Sequence, residues 1–271
     1  AIGVIYFSYF SFIGHIELVI HRCIWTAFML IITTHFFSKW NIFLRILKDK
    51  RNLLVLFFSG LLIFTNWAVW IYAVSNDQII DASFGYFIMP IISVLCGNIF
   101  FKEKISFKSK ISIFLVCISI IILLRNFNDV LCVGLIVAFS WAFYNVLRKL
   151  INVDTDTGLL IESLYILPIS LIIFYFIFKN GQNDFSLENL DLMFMLLLAG
   201  PMTVIPLFLY VRGVELSGLG PSGMIFYITP TLQFLLGYFY YNELFSYEKF
   251  FSFTIIWIAV IIYLKDLYEK Y

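Results

Sequence analysis

Long apolar runs separated by short polar segments recur along the whole of this 271-residue chain. A helix needs about 20 apolar residues to cross the hydrocarbon core of a bilayer, so runs of that length predict membrane-spanning helices. Charged residues, Gly and Asn mark the breaks between the runs. The pattern predicts ten helices, near residues 1–13, 18–38, 53–75, 82–101, 109–125, 130–149, 158–178, 190–211, 219–241 and 249–267.

The composition points to the same fold class, an all-α polytopic membrane protein. Hydrophobic residues make up 62% of the chain and charged residues 13%, whereas soluble domains average roughly 45–50% and 25%. Almost nothing remains for a water-soluble domain, so any binding site is expected inside the helix bundle. The basic residues are dispersed among the loops, which argues against a nucleic acid as a partner.

The charges in the predicted loops indicate how the chain is oriented. Basic residues prefer cytoplasmic loops, and one helix more or fewer would remove the asymmetry seen here. With both termini placed in the cytoplasm, fourteen basic residues fall on that side: Lys39, Arg45, Lys48, Lys50, Arg51, Lys102, Lys104, Lys108, Lys110, Arg148, Lys149, Arg212, Lys265 and Lys270. Three fall on the other side: Arg125, Lys179 and Lys249.

An internal repeat divides the chain. The segment PIISVLCGNIFFKEKIS, which starts at Pro90, and the segment PTLQFLLGYFYYNELFS, which starts at Pro230, share Pro, Gly, Glu and Ser at identical spacing. In addition, IELVIH around Glu17 resembles IESLYI around Glu162. Five helices per copy is an odd number, so the second copy would be inverted, and inverted repeats form a substrate site near the bilayer midplane. The alternative is chance similarity of hydrophobic sequence. The predicted repeats are residues 1–127 and 128–271.

The first predicted helix is unusually short. Residues 1–13 fall below the ~17 residues that a membrane-spanning helix normally needs. Gly3 to Glu17 spans 14 residues, whereas the apparent counterpart, Gly134 to Glu162, spans 28. The first helix is therefore predicted to be internally shortened, which leaves either a helix tilted into a thinned bilayer or a defective copy.

Four charged or titratable side chains are candidates for binding or coupling. A charge at the bilayer centre costs ~2.5–3.5 kcal/mol, so such groups persist mainly where they face a cavity or each other. Glu17 and His21 share one helix face, and Arg22 lies on the next strip, so Glu17 can pair with either. The three are interpreted as a proton or substrate relay, or as a structural ion pair at headgroup level. Glu162 is interpreted as a ligand for a cationic group or as a helix cap.

Amide and aromatic side chains are predicted to complete a central site with Arg22 and Glu162. Aromatic rings with a few polar groups suit a flat or amphipathic molecule, although Trp and Tyr also populate bilayer interfaces. Pro90 and Pro230 are predicted to lie in mid-helix and to act as hinges, since each removes a backbone hydrogen bond there. The amide and aromatic candidates are Asn66, Trp67, Trp70, Tyr86, Trp141, Tyr144, Asn145, Tyr227 and Gln233.

The motifs argue against an enzyme. His15, Glu17 and His21 do not have the HExxH spacing of a zinc site, and the sequence has no GxSxG motif and no Gly-rich phosphate loop of the GxxxxGK[ST] type. We therefore expect no catalytic residue, no metal and no cofactor. The expected partners are a small-molecule substrate, the lipid bilayer and, as an option, a second copy of the chain.

Six stretches form a recognisable set: HRCIW at 21–25, NWAVWIYAV at 66–74, ASFGYFIMP at 82–90, AFSWAFYNVLRK at 138–149, TGLLIES at 157–163 and YITPTLQFLL at 227–236. From about residue 16 to its end, the chain resembles the RarD-type permeases of the EamA family, in the drug/metabolite transporter superfamily. The resemblance implies ten helices in two inverted repeats, a bacterial inner membrane location and export or exchange of small metabolites, with a link to chloramphenicol sensitivity. Family members normally carry a longer first helix with Trp-Gly and Pro, a stretch that is absent here.

The sequence therefore predicts a secondary transporter that moves a small metabolite or an amphipathic drug-like molecule by alternating access. The alternative is a transport-inactive membrane scaffold, or a degenerate permease copy that lacks part of helix 1. Water access to the central side chains would distinguish the two, because a carrier exposes its site in turn to each side of the membrane.

Overall fold

The computed structural model describes residues 2–102, 104–124, 130–186, 189–206, 209, 227–244 and 246–270. These residues form helices and connecting turns, with no β-strand among them. A π-helical turn, Leu236–Tyr240, extends the tenth helix. The helices are α1 (Ile2–Ser8), α2 (His15–Phe36), α3 (Trp40–Ile46), α4 (Lys50–Ser75), α5 (Ile79–Phe101), α6 (Phe107–Leu124), α7 (Val130–Lys149), α8 (Thr155–Lys179), α9 (Leu190–Leu197), α10 (Ile228–Leu235) and α11 (Tyr247–Lys270).

Five helical segments in the described part of the chain are long and apolar enough to cross a membrane. At about 1.5 Å per residue, the 26 residues of α4 cover about 39 Å, which exceeds the ~30 Å hydrocarbon core. A shorter apolar stretch, Leu190–Pro206, continues from α9. These helices make the chain a multi-pass membrane protein. The five segments are His15–Phe36, Lys50–Ser75, Ile79–Phe101, Thr155–Lys179 and Lys249–Glu269.

Helix boundaries differ from the predicted ones where polar residues occupy helix ends. α2 begins at His15 and α8 at Thr155, each three residues earlier than predicted, because hydropathy undervalues the polar first turn. Helix α3 was not predicted, since its seven residues lie among basic loop residues. Helix α1 ends at Ser8, and turns lead from it to α2, in agreement with a short first helix. Parts of the predicted helices 190–211 and 219–241 lie outside the described residues.

The helices pack around an apolar and aromatic core. Helix α2 packs against α8, α4 against α7 and α8, α5 against α7 and α10, and α6 against α11. Helices α5 and α7 approach each other closely at Gly85 and Gly134. A Cβ atom on Gly85 would lie 2.3 Å from the Gly134 carbonyl oxygen, so this approach requires a glycine. Helices α6 and α11 are joined by a hydrogen bond of 2.9 Å from the Ser112 hydroxyl to the Ala259 carbonyl. Small residues and hydroxyl groups are what allow membrane helices to approach this closely.

Ion pairs connect helix ends at both ends of the bundle. Lys39 Nζ lies 2.9 Å from Asp154 and 2.7 Å from Asp156, which joins the end of α2 to the start of α8. The pKa of Asp154 is lowered to about 2, most strongly by a hydrogen bond with Asp156 and less strongly by one from Lys39. At the opposite end, Lys249 Nζ lies 3.0 Å from Asp81 and joins α11 to α5. At each end of the bundle, an ion pair therefore joins the two halves of the chain.

Glu243, in the turn before α11, caps the start of α5. Its two carboxylate oxygens accept the Ile79 and Ile80 N–H groups at 2.6 and 2.8 Å. These are among the amides that a helix leaves free at its N-terminus, where a negative charge is also favoured by the helix dipole. A residue of the second half therefore completes a helix of the first half.

The Glu243 cap is expected to depend on pH. Burial raises the pKa of Glu243 to about 7, although the two amide bonds lower it. Because this folded-state pKa lies above the ordinary value, folding favours the protonated form, and the contribution to stability is lost as pH rises through about 7. We expect the melting temperature of the native chain, relative to Glu243→Gln, to fall between about pH 4.5 and pH 7, because only in this range does the folded chain bind more protons than the unfolded one. A difference that stays constant over this range contradicts the assignment.

Candidate functional site

Arg22 lies within the membrane-spanning helix α2 and is surrounded by aromatic rings from α1 and α4. Its Cζ atom is 4.6 Å from the centre of the Trp67 ring, 5.3 Å from that of Phe7 and 5.5 Å from that of Trp70. Contacts of a cation with an aromatic face contribute about 0.5–2 kcal/mol each. We call these four residues the Arg22 cage. Phe7 brings the short helix α1 into the cage.

The Arg22 cage contains donors that the described residues leave unused. The Nε and Nη1 atoms of Arg22 are buried and have no hydrogen-bond partner, and the same holds for Trp70 Nε1. Among the described residues, no carboxylate forms an ion pair with Arg22. A buried donor without a partner costs about 1–3 kcal/mol, and such groups are rare in folded proteins. These buried donors are therefore candidates for contact with a bound molecule.

Glu17 and His21 form a separate contact on another face of α2. His21 Nε2 lies 3.5 Å from Glu17 Oε1, which also accepts the Asp184 N–H at 2.9 Å. Trp25 Nε1 donates to His21 Nδ1 at 3.1 Å, so the proton of a neutral His21 lies on Nε2, and this atom forms no hydrogen bond with the described residues. Of the two pairings that the sequence leaves open for Glu17, the structure forms the one with His21.

Asn66 joins α4, α5 and α7 beside the Arg22 cage. Its Nδ2 atom donates to the Val137 carbonyl at 3.0 Å and to Ser140 Oγ at 3.1 Å. The Tyr86 hydroxyl donates to Asn66 Oδ1 at 3.3 Å. We call these four residues the Asn66 network. Asn66 directly precedes Trp67 on α4, so the network and the Arg22 cage lie at the same depth of that helix.

Glu162 lies in a second polar cluster, on α8. Its carboxylate is fully buried and accepts hydrogen bonds from Ser59 Oγ at 2.5 Å and from the Tyr144 hydroxyl at 3.3 Å. Arg148 Nη1 lies 3.6 Å from Glu162 Oε1 and balances its charge. We call these four residues the Glu162 cluster. Glu162 is the eighth residue of α8, too far from the helix start to cap it, so the cap interpretation is wrong.

The Glu162 cluster and the Arg22 cage are separate. Ser59 precedes Trp67 by eight residues on α4, which corresponds to a rise of about 12 Å. The structure therefore divides the single central site that the sequence predicted into two. Trp141 lies between them, with its ring 5.7 Å from that of Tyr144 and 6.4 Å from that of Tyr86. Asn145, one turn further along α7, is exposed.

The remaining candidates lie on α5 and at α10. Tyr227 stacks on Phe87 at 6.5 Å between ring centres, and its buried hydroxyl has no hydrogen-bond partner. Gln233 is also buried, with its Oε1 atom unpartnered. Pro90 lies inside α5, as predicted. Pro230 lies in the first turn of α10, where Pro replaces no helical hydrogen bond, so its mid-helix placement is wrong. The hinge role of both stays a prediction.

Sequence reasoning missed four side chains that build these clusters: Phe7, Ser59, Ser140 and Arg148. Arg148 was counted as a loop cation because Lys149 follows it at the end of α7. The sequence feature that accompanies this role of Arg148 is Gly158. A Cβ atom at position 158 would lie 1.9 Å from Arg148 Nη1, so the guanidinium needs a glycine there. In the described part of the chain, no group of three His, Cys, Asp or Glu is arranged to hold a metal ion.

Known proteins resemble the chain along almost its whole length. The model of the EamA-like transporter family matches residues 1–125 and 130–265. "Protein RarD" of Salmonella typhi is 32% identical over 261 residues, which cover 96% of this chain and 89% of that protein. "Uncharacterized transporter YojE" of Bacillus subtilis (strain 168) is 34% identical over 251 residues, covering 92% and 84%. An "Uncharacterized transporter" of Vibrio cholerae is 31% identical over 265 residues, covering 98% and 88%.

Proposed function

Since this chain belongs to the EamA-like transporter family and is a RarD-type permease within it, we propose that it works as a secondary carrier. It would move a small metabolite or an amphipathic drug-like molecule across a bacterial inner membrane. Alternating access would expose the site first to one side of the membrane and then to the other.

The observation that carries this proposal is the Arg22 cage with the adjoining Asn66 network. A cation and an amide buried between membrane-spanning helices are costly, and such groups persist mainly along ion or substrate paths. Tyr86 and Ser140 bring α5 and α7 to the same place as the cage residues of α1, α2 and α4. Aromatic walls with a few polar donors are the lining that an amphipathic small molecule requires.

The helix packing supports two inverted repeats of five helices, residues 1–127 and 128–271. In that arrangement α2 corresponds to α8, α5 to α10 and α6 to α11, and each of these pairs is in contact. Contact between equivalent helices is expected where a pseudo-two-fold axis runs between the repeats. The excess of basic residues around Lys39 and Lys108 supports a cytoplasmic location for that end of the bundle and for the C-terminal end of α11, where Glu269 pairs with Lys108.

Counterflow in proteoliposomes tests this function. The vesicles are loaded with amino acids, nucleosides, methylated metabolites or chloramphenicol, and uptake of the labelled compound is followed. We expect uptake with at least one class, and a loss of about tenfold or more in Asn66→Leu, because that variant cannot bond to α7. Asn41→Ala, at an exposed position of α3, is the matched control and should retain uptake. If vesicles that contain the protein take up no more of any compound than vesicles without protein, the result counts against a carrier.

A second candidate is a transport-inactive scaffold or degenerate copy, which the short interval between Gly3 and Glu17 favours: it spans 14 residues, against 28 in the apparent counterpart from Gly134 to Glu162. In the structure, α1 ends at Ser8 and turns fill the interval before α2. Insertion of about 14 apolar residues after Ser8 would restore the interval of the counterpart. Counterflow that appears only after this insertion would identify the native chain as an inactive copy.

A further inference from the structure

Arg22 is a cation whose Nε and Nη1 atoms are buried, and for which the described residues supply aromatic faces but no anion. We infer that the molecule carried by this protein bears a carboxylate, or an oxyanion of similar shape, that binds the Arg22 guanidinium inside the cage. The inference rests on the proposed function, because it names the chemical class of the substrate of the same site.

The unused donors of Arg22 match an oxyanion. Guanidinium presents its N–H groups in a planar fork, which binds carboxylates through two parallel hydrogen bonds. Each edge of that fork includes either Nε or Nη1, and both atoms lack a partner. The rings of Phe7, Trp67 and Trp70 contact the guanidinium without accepting hydrogen bonds from these two atoms. An oxyanion would supply the missing acceptors and the missing charge together.

The acidic side chains buried in the described helices are already engaged. Glu17 contacts His21 and accepts the Asp184 N–H. The Glu162 cluster has its own cation in Arg148, and Asp81 pairs with Lys249 at one end of the bundle. A contact between Arg22 and any of these carboxylates would leave another polar group unsatisfied. An anion from outside the chain would not.

The walls of the cage indicate what accompanies the anionic group. Trp70 Nε1 is a second buried donor without a partner, suited to a carbonyl or carboxylate oxygen beside Arg22. The Trp67 and Phe7 rings are apolar surfaces at the same place. The Asn66 network adjoins them with a hydroxyl and an amide. A planar or aromatic acid fits this combination better than a small hydrophilic anion does.

Binding of matched acid and amide pairs tests the inference without requiring transport. The full chain is placed in phosphatidylcholine nanodiscs and titrated with benzoate and benzamide, phenylacetate and phenylacetamide, and N-acetylphenylalanine and its amide. In at least one pair we expect the acid to bind about tenfold more tightly than the amide, since the amide lacks the negative charge and the second acceptor oxygen of the carboxylate. Arg22→Gln should reduce this preference to within about twofold. Arg22→Lys should keep part of it, because it keeps the charge and loses the fork.

Arg45→Gln is the matched control, since Arg45 is exposed on α3 and should leave the preference unchanged. The melting temperature of each variant shows whether it has folded, and Arg22→Lys keeps the test decisive if Arg22→Gln does not fold. The inference is overturned if no acid outcompetes its amide in the native chain. It is equally overturned if Arg22→Gln keeps the preference for the acid.

The results also separate this inference from the proposed function. If acids bind through Arg22 but no compound is exchanged in counterflow, the result would support an anion site and contradict the proposed carrier function. Counterflow of an uncharged compound that is unaffected in Arg22→Gln would support the carrier and overturn the anionic substrate.

Discussion

Replacement of Arg148 by Gln is expected to lower the free energy of unfolding by about 3 kcal/mol. Glu162 is fully buried, and within the described residues Arg148 is the cation that balances it. Ser59 and Tyr144 would still donate hydrogen bonds, but neutral donors leave the charge of a carboxylate uncompensated. Glu162 would then take up a proton or draw in water. Either change weakens the contact of α4 and α7 with α8.

The double variant Glu162→Gln with Arg148→Gln is the matched control. It contains no buried unpaired charge, so we expect it to recover most of the stability that Arg148→Gln loses. Unfolding in mixed detergent micelles, followed by tryptophan fluorescence, measures both variants against the native chain. A double variant no more stable than Arg148→Gln would show that the ion pair does not stabilise the cluster.

Replacement of Gly85 by Val is expected to separate α5 from α7, at a cost of about 3 kcal/mol. A Cβ atom at this position would lie 2.3 Å from the Gly134 carbonyl oxygen and 3.1 Å from the Val137 Cβ. A backbone oxygen cannot rotate away as a flexible side chain can, so the helices themselves must move. Because Val137 accepts from Asn66, the movement would also break the Asn66 network and abolish transport.

Gly14→Ala provides the comparison for Gly85→Val. A Cβ atom on Gly14 would have nothing within 4 Å, and the residue precedes α2 with a φ of −55°. We therefore expect a change of no more than about 0.5 kcal/mol in that variant. If Gly85→Val unfolds at the same proportion of denaturing detergent in the mixed micelles as the native chain, the close crossing of α5 and α7 is not needed for stability.

The membrane-spanning helices could be predicted from hydropathy, because the bilayer imposes both length and composition on them. Helices α4 and α5 contain long apolar runs, and turn residues such as Asn76 mark their limits. Helix α3 could not be predicted this way, since a seven-residue helix between two longer helices needs neither length nor a continuous apolar run. Hydropathy therefore predicts the long membrane-spanning helices and misses the short helix α3.

The partners of the buried polar groups could be predicted only where they share a helix. Glu17 and His21 are four residues apart on α2, and helix geometry alone brings them together. The Arg22 cage depends on how α1 and α4 pack, and Phe7 is one of 32 Phe residues with no local mark of its role. Arg148 meets Glu162 across a turn between two helices, so its pairing follows from tertiary structure.

Thiol accessibility at position 140 tests alternating access most directly, because it requires no knowledge of the substrate. Ser140→Cys is a small change within the Asn66 network and is introduced into a chain whose four native cysteines are replaced by Ser. Ser112→Cys, buried between α6 and α11, is the control and should stay protected. For a carrier, we predict that a membrane-impermeant maleimide labels position 140 in both right-side-out and inside-out vesicles. Labelling from one side alone, or from neither, would contradict alternating access at this site.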